Sequence, residues 1–85
     1  MAVKVLILED NSVARSFLCK VVRESFSDEL EIVESSDLES ARREIQLAQT
    51  GSPFRLYLID LELPDGSGME LLQELNRAPG LKIVS

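Results

Sequence analysis

The feature that most constrains this sequence is an alternation. Short apolar runs that end in polar or acidic residues take turns with longer stretches whose apolar residues recur at helical spacing. Val3–Leu8 (VKVLIL) is rich in β-branched residues and stops at Glu9, Asp10, Asn11 and Ser12, which predicts a buried parallel strand and then a loop. From Val13 the apolar positions fall at 13, 14, 17, 18, 21 and 22, the stripe of an amphipathic helix that Asn11 or Ser12 can cap and that fades near Phe26 and Ser27. Glu31–Ser35 (EIVES) is more polar and reads as a strand nearer the sheet edge. Ser36 and Glu39 have the spacing of a capping box, and Leu38, Ala41, Ile45 and Ala48 carry a second helix to about Gln49.

Thr50–Pro53 is turn chemistry, after which Leu56–Ile59 (LYLI) predicts a third strand ending at Asp60. Leu61–Ser67 reads as a loop carrying Pro64, Asp65 and Gly66. Ser67 and Glu70 repeat the capping-box pattern, Met69, Leu71, Leu72 and Leu75 supply a helical stripe, and Ala78, Pro79 and Gly80 stop it. Leu81–Val84 then begins a fourth strand. The order βαβαβαβ with short loops predicts an α/β doubly wound parallel sheet with right-handed crossovers. Eighty-five residues allow one small domain with a thin core.

Composition narrows the chemistry. Fifteen acidic residues against nine basic ones give a net charge of −6, which repels phosphate backbones and anionic lipid, so this segment is not expected to bind nucleic acid or membranes. Histidine is absent, which excludes Ser-His and Cys-His nucleophilic pairs and His metal sites. Cys19 is the only cysteine, a small core residue of a reducing compartment rather than half of a disulfide. The N-terminal VLIL run is far shorter than a signal h-region or a membrane span, and a cytoplasmic location is expected.

Chemistry must therefore run on carboxylates, and their positions are informative. In an open parallel sheet ligands bind beyond the carboxyl ends of the strands, where Glu9 and Asp10 follow the first strand and Asp60 the third. If those strands are neighbours, three carboxylates share one crevice with no basic residue ending either strand. Mutual repulsion then calls for a hard divalent cation, Mg²⁺ in particular, leaving one carboxylate as a nucleophile. A single acidic loop residue is usually only solvated; three at two strand ends are harder to dismiss.

Leu6–Asn11 (LILEDN) followed by Leu58–Gly68 (LIDLELPDGSG) resembles the response-regulator receiver domain of two-component signalling. The resemblance runs through the whole chain in element order and implies a flavodoxin-like fold. It also implies that Asp60 accepts a phosphoryl group from a sensor histidine kinase and switches a downstream output module, often DNA-binding and so a transcription regulator. The implied Mg²⁺ ligands are Asp10, Asp60 and the backbone carbonyl of Glu62. Glu9 matches the first acid of the family's pair, which usually reaches the metal through water. Pro64 and Gly68 match the loop that shapes the phosphorylation site. A phosphoacceptor of this kind is not expected to count as an enzyme.

A complete receiver has five βα units, so residues 1–85 are expected to be its N-terminal portion, lacking helix four, strand five and helix five. The family's phosphate-binding lysine goes with them, and Lys82, near the start of strand four, does not replace it. The family's switch hydroxyl ends strand four, where Ser85 is the candidate in this sequence; the following residue is the alternative. With central strands Val5, Ile7, Leu56 and Leu58 expecting cover on both faces, and strand four presenting a free edge, the chain is expected to self-associate.

Three other readings compete with this resemblance. A Mg²⁺ phosphatase of the haloacid-dehalogenase type echoes faintly in Asp60-Leu61-Glu62, but there is no room for its downstream motifs. An EF-hand starting at Asp60 puts Asp65 where the loop needs Gly. The remaining alternative is a truncated or pseudo-receiver that is never phosphorylated and serves as an interaction or dimerisation module.

Overall fold

The computed structural model describes residues 2–26 and 29–85. Its framework is a parallel sheet of four strands. Strand β1 (Val3–Leu8) pairs on one side with β2 (Leu30–Ser35), Val3 facing Leu30 and Leu8 facing Ser35, and on the other with β3 (Leu56–Ile59). β3 in turn pairs with the last strand, Leu81–Val84, labelled β6 because two short strands intervene. The order β2-β1-β3-β6 makes β2 an edge strand, in keeping with its polar sequence, and puts the apolar runs of β1 and β3 in the middle. The fold is therefore an α/β flavodoxin-like sheet.

Side-chain alternation sends the two faces to different helices. Val5, Ile7 and Leu56 pack with Val22 of α1 (Ser12–Ser25), while Leu6, Leu8, Tyr57 and Ile59 pack with Leu38, Ala41, Ile45 and Ala48 of α2 (Leu38–Gln49) and with Leu71 of α3 (Gly68–Glu74). Cys19 is a half-buried part of the α1 face, and burial followed by the nearby Glu34 charge pushes its thiol up. α1 ends at Ser25 with Phe26 as its cap residue; the expected fade at Ser27 lies outside the described residues.

Local details depart from the sequence reading in three places. Asp37, not Ser36, caps α2: its carboxylate accepts from Ser40 N at 2.8 Å, and Glu39 points outward to Arg43, 3.6 Å away, so no Ser36–Glu39 capping box forms. The segment expected to be a plain loop after Asp60 folds into a small antiparallel hairpin, β4 (Glu62–Leu63) and β5 (Gly66–Ser67), turning at Pro64 and Asp65. Gly66 takes φ +150°, and a Cβ there would lie 2.7 Å from both Leu38 Cδ1 and Glu70 Oε2, so the hairpin sits directly on α2 and α3. Finally, α3 stops at Glu74 rather than near Ala78: the chain beyond it tightens into turns whose amides bond three residues back, Asn76 N to Gln73 O at 3.3 Å and Ala78 N to Leu75 O at 3.0 Å. At the other end of α3 the Ser67–Glu70 capping box forms as the spacing predicts.

Candidate functional site

The sheet's hydrogen-bond ladder sets the site. Glu9 N donates to Ser35 O and Asp60 N to Leu8 O, each at 3.0 Å, so the chain leaves β1 and β3 side by side at their carboxyl ends. Carboxylate oxygens of Glu9, Asp10 and Asp60 then lie within 4.8 Å of one another. Glu9 and Asp60 are half-buried and Asp10 is exposed. Burial pushes the Glu9 carboxyl above its ordinary value; the Asn11 amide, whose N–H reaches Glu9 Oε2 at 3.2 Å, opposes this, and the Asp60 and Asp10 carboxylates add to it. Asp60 Oδ1 accepts from Glu62 N at 3.1 Å, which fixes the carboxylate's orientation and leaves its other oxygen without a protein donor among the described residues.

Gly68 is what lets α3 approach this close. A Cβ at Gly68 would overlap the Asp60 carbonyl oxygen and lie 2.9 Å from both the Asp60 carbonyl carbon and Ile59 Cγ2, while Gly68 N donates to Leu61 O at 2.9 Å. The glycine's task is close backbone approach rather than an unusual dihedral angle.

A cation comes nearer than the strand ends alone suggest. Arg15, in the first turns of α1, donates from Nη1 to the Glu9 carbonyl at 2.7 Å and from Nε to Glu34 Oε1 at 3.2 Å. Its charge is thus matched by Glu34, and among the described residues no lysine or arginine pairs with the carboxylates of Glu9, Asp10 or Asp60. Three oxygen anions without a paired cation are the donor chemistry that Mg²⁺ takes.

The model of the response regulator receiver domain family matches residues 5–85. This chain belongs to that family. A comparison with curated individual proteins gives no significant match.

The remaining residues singled out in the sequence lie in different places. Ser85 N donates to Ile59 O at 3.2 Å and Ser85 O accepts from Leu61 N at 2.9 Å, so Ser85 flanks Asp60 one strand over. Lys82 is occupied elsewhere: its ammonium donates to the Ala78 carbonyl and stands 5.8 Å from the centre of the Tyr57 ring. Glu62 is exposed in β4, and Pro64 is exposed on the hairpin turn. A groove of about 450 Å³ between α2 and α3 is floored by Phe54, Tyr57 and Leu71, and none of the three crevice acids lines it. No helix is long and apolar enough to cross a membrane among the described residues.

Two residues of the site were not foreseen from sequence. Arg15 carries a weak signal, since a helix beginning at Ser12 can turn it back toward Glu9. Asp65 carries none: its carboxylate caps α2, 27 residues earlier in the chain, and no local pattern marks that contact.

Proposed function

We propose that the chain is the phosphoacceptor of a two-component phosphorelay, taking a phosphoryl group on Asp60 from the phosphohistidine of a sensor kinase and passing the change to an output module. The observation that carries this is the convergence of Glu9, Asp10 and Asp60 at the carboxyl ends of the two central strands of a receiver-family sheet.

The donor set fits Mg²⁺: Asp10, Asp60 and the Glu62 backbone carbonyl would hold it, with Glu9 reaching it through water. When bound, the ion supplies positive charge between the carboxylates and the incoming phosphoryl oxygens. Asp60 itself is already a nucleophile, because an aspartate needs no proton removed. Its free oxygen attacks phosphorus, the phosphorus–nitrogen bond to the donor imidazole breaks, and the imidazole takes up a proton from solvent. Glu62 N holds the other oxygen and so aims the attacking one. The chain lacks the donor histidine, which the partner supplies.

Docking of that partner is supported by an apolar ridge next to the crevice. Val13 and Phe17 of α1 are 78% and 64% exposed, Val21 continues the line one turn on, and the helix starts immediately after Asp10 and its cap Asn11. Such a ridge suits a helical partner surface. In this reading the protein is cytoplasmic, as the kinase's histidine is, and it is a stoichiometric acceptor rather than a turnover enzyme. Ser85 beside Asp60 is the candidate switch hydroxyl.

The test is uptake of label from a small acyl phosphate or phosphoramidate in the presence of Mg²⁺. Slow uptake of one phosphoryl group per chain, abolished by Asp60→Asn, is expected. Label that survives Asp60→Asn, or none after prolonged incubation at saturating donor, would contradict the reading.

A further inference from the structure

The β4–β5 hairpin is only two residues per strand, too short to hold its own conformation in water. It is fastened at both ends. At its base Glu62 N binds Asp60 Oδ1 at 3.1 Å, and Gly68 N binds Leu61 O at 2.9 Å. At its tip Asp65 reaches α2, Oδ1 accepting from Leu38 N at 2.9 Å and Oδ2 from Glu39 N at 3.1 Å. The next free amide of that helix, Ser40 N, belongs to the local cap Asp37. α2 is thus capped by two aspartates, one of which is also the anchor of the segment that orients Asp60. The two amides of Leu38 and Glu39 hold the Asp65 carboxyl below its usual range, so the anchor is ionised at neutral pH.

We infer that Asp65 is a positioning residue for the receiver's phosphoryl-accepting site: by tying the hairpin tip to the N-terminus of α2 it holds the Glu62 backbone, and through it the Asp60 carboxylate, in working orientation. This rests on the phosphoacceptor reading of Asp60. Without the anchor the hairpin keeps its two backbone pairings and the Gly68 N to Leu61 O bond, but its tip is free to lift from Leu38. Glu62 N then leaves Asp60 Oδ1 for part of the time, and the Glu62 carbonyl moves with it.

The experiment compares Asp65→Ala, Asp65→Asn and Asp37→Ala in the whole chain. Asp65→Ala and Asp37→Ala each remove a cap from the same helix, but only Asp65 touches the hairpin. Three readouts are taken: hydrogen exchange at the Glu62 amide, affinity for Mg²⁺ alone followed by amide signals, and initial rate of phosphoryl uptake from a small acyl phosphate. Asp65→Ala should speed exchange at Glu62 and lower both Mg²⁺ affinity and uptake rate about 10–100-fold, the range seen when a group that orients a metal ligand is removed. Asp37→Ala should leave all three at the wild-type level. Asp65→Asn, which keeps one acceptor oxygen, should fall between, and it carries the comparison if the alanine variant folds poorly. Equal effects of the Asp65 and Asp37 variants would overturn the inference and reduce Asp65 to a helix cap. If the wild-type chain takes no phosphate on Asp60, the phosphoacceptor reading fails, while the Glu62 exchange and Mg²⁺ measurements still decide whether Asp65 positions the hairpin.

Discussion

Gly68→Ala separates two opposed effects whose sizes the structure sets. Gly68 is the first residue of α3, where alanine gains up to about 1 kcal/mol of helix propensity over glycine. Against this, the new Cβ would lie 2.9 Å from the Asp60 carbonyl carbon and Ile59 Cγ2, and closer still to the Asp60 carbonyl oxygen. Carbon pairs prefer about 3.5 Å or more, so the strain is roughly 0.6 Å even at the gentler contacts. The atoms in the way include backbone at the end of a central strand, which no rotamer change can clear. Overpacking of this kind costs about 1–3 kcal/mol, and opening the Gly68 N to Leu61 O bond adds about 1 kcal/mol. The net expectation is a loss of about 1–3 kcal/mol. The assay is a urea midpoint followed by circular dichroism, with Gly51→Ala as control, since a Cβ at Gly51 meets nothing within 4 Å and that change should be neutral or stabilising. The displaced Asp60 should also lose phosphoryl uptake, up to about 100-fold for a shift near 1 Å. A Gly68→Ala protein as stable as wild type would refute the close-approach argument.

Three further outcomes are expected. The Ser35 hydroxyl is buried without a hydrogen-bond partner among the described residues, so Ser35→Ala should hold or raise stability, by up to about 1 kcal/mol, and a clear loss in the urea midpoint would show that the hydroxyl is bonded. Asp65, held by the Leu38 and Glu39 amides, and Glu74, held by Arg42, both have carboxyls lowered in the folded state; their stabilisation is complete above the unfolded values near 4 and is lost as pH falls through the folded ones, so the urea midpoint should drop below about pH 4 and drop less in Asp65→Asn. Leu81, Ile83 and Val84 are exposed on β6, whose outer edge is unpaired among the described residues, so light scattering of the 85-residue chain at high micromolar concentration should show a dimer or larger species; a monodisperse, cooperatively folding monomer would count against it.

The sequence reading succeeded where burial is total and failed where contacts are non-local. β1 and β3 have the expected bounds because a strand covered on both faces must be largely apolar, which makes VKVLIL and LYLI stand out against the acidic and turn residues around them; LKIV of β6, though exposed, stands out because Pro79 and Gly80 end the segment before it. The Ser67–Glu70 capping box was legible because both of its bonds are local. The α2 cap was misplaced by one residue because two of that helix's amides are satisfied by Asp65, from the far side of β3, which relieves Ser36 and Glu39 of the role. Strands as short as β4 and β5 have no period to read; the hairpin exists because Gly66 admits a positive φ and Leu38 lies beneath it. The three crevice carboxylates were legible for a topological reason: parallel strands that are neighbours put their carboxyl ends together, whatever the loops do.

The central claim is that Asp60, rather than either neighbouring acid, forms the bond to phosphorus. Borohydride reduces an acyl phosphate to an alcohol, so an aspartyl phosphate becomes homoserine and can be located by peptide mass spectrometry. After uptake from a small phosphodonor with Mg²⁺, homoserine should be found at position 60, with Glu9 and Asp10 unmodified. Reduction products at position 9 or 10, or label on a serine that resists borohydride, would contradict the account.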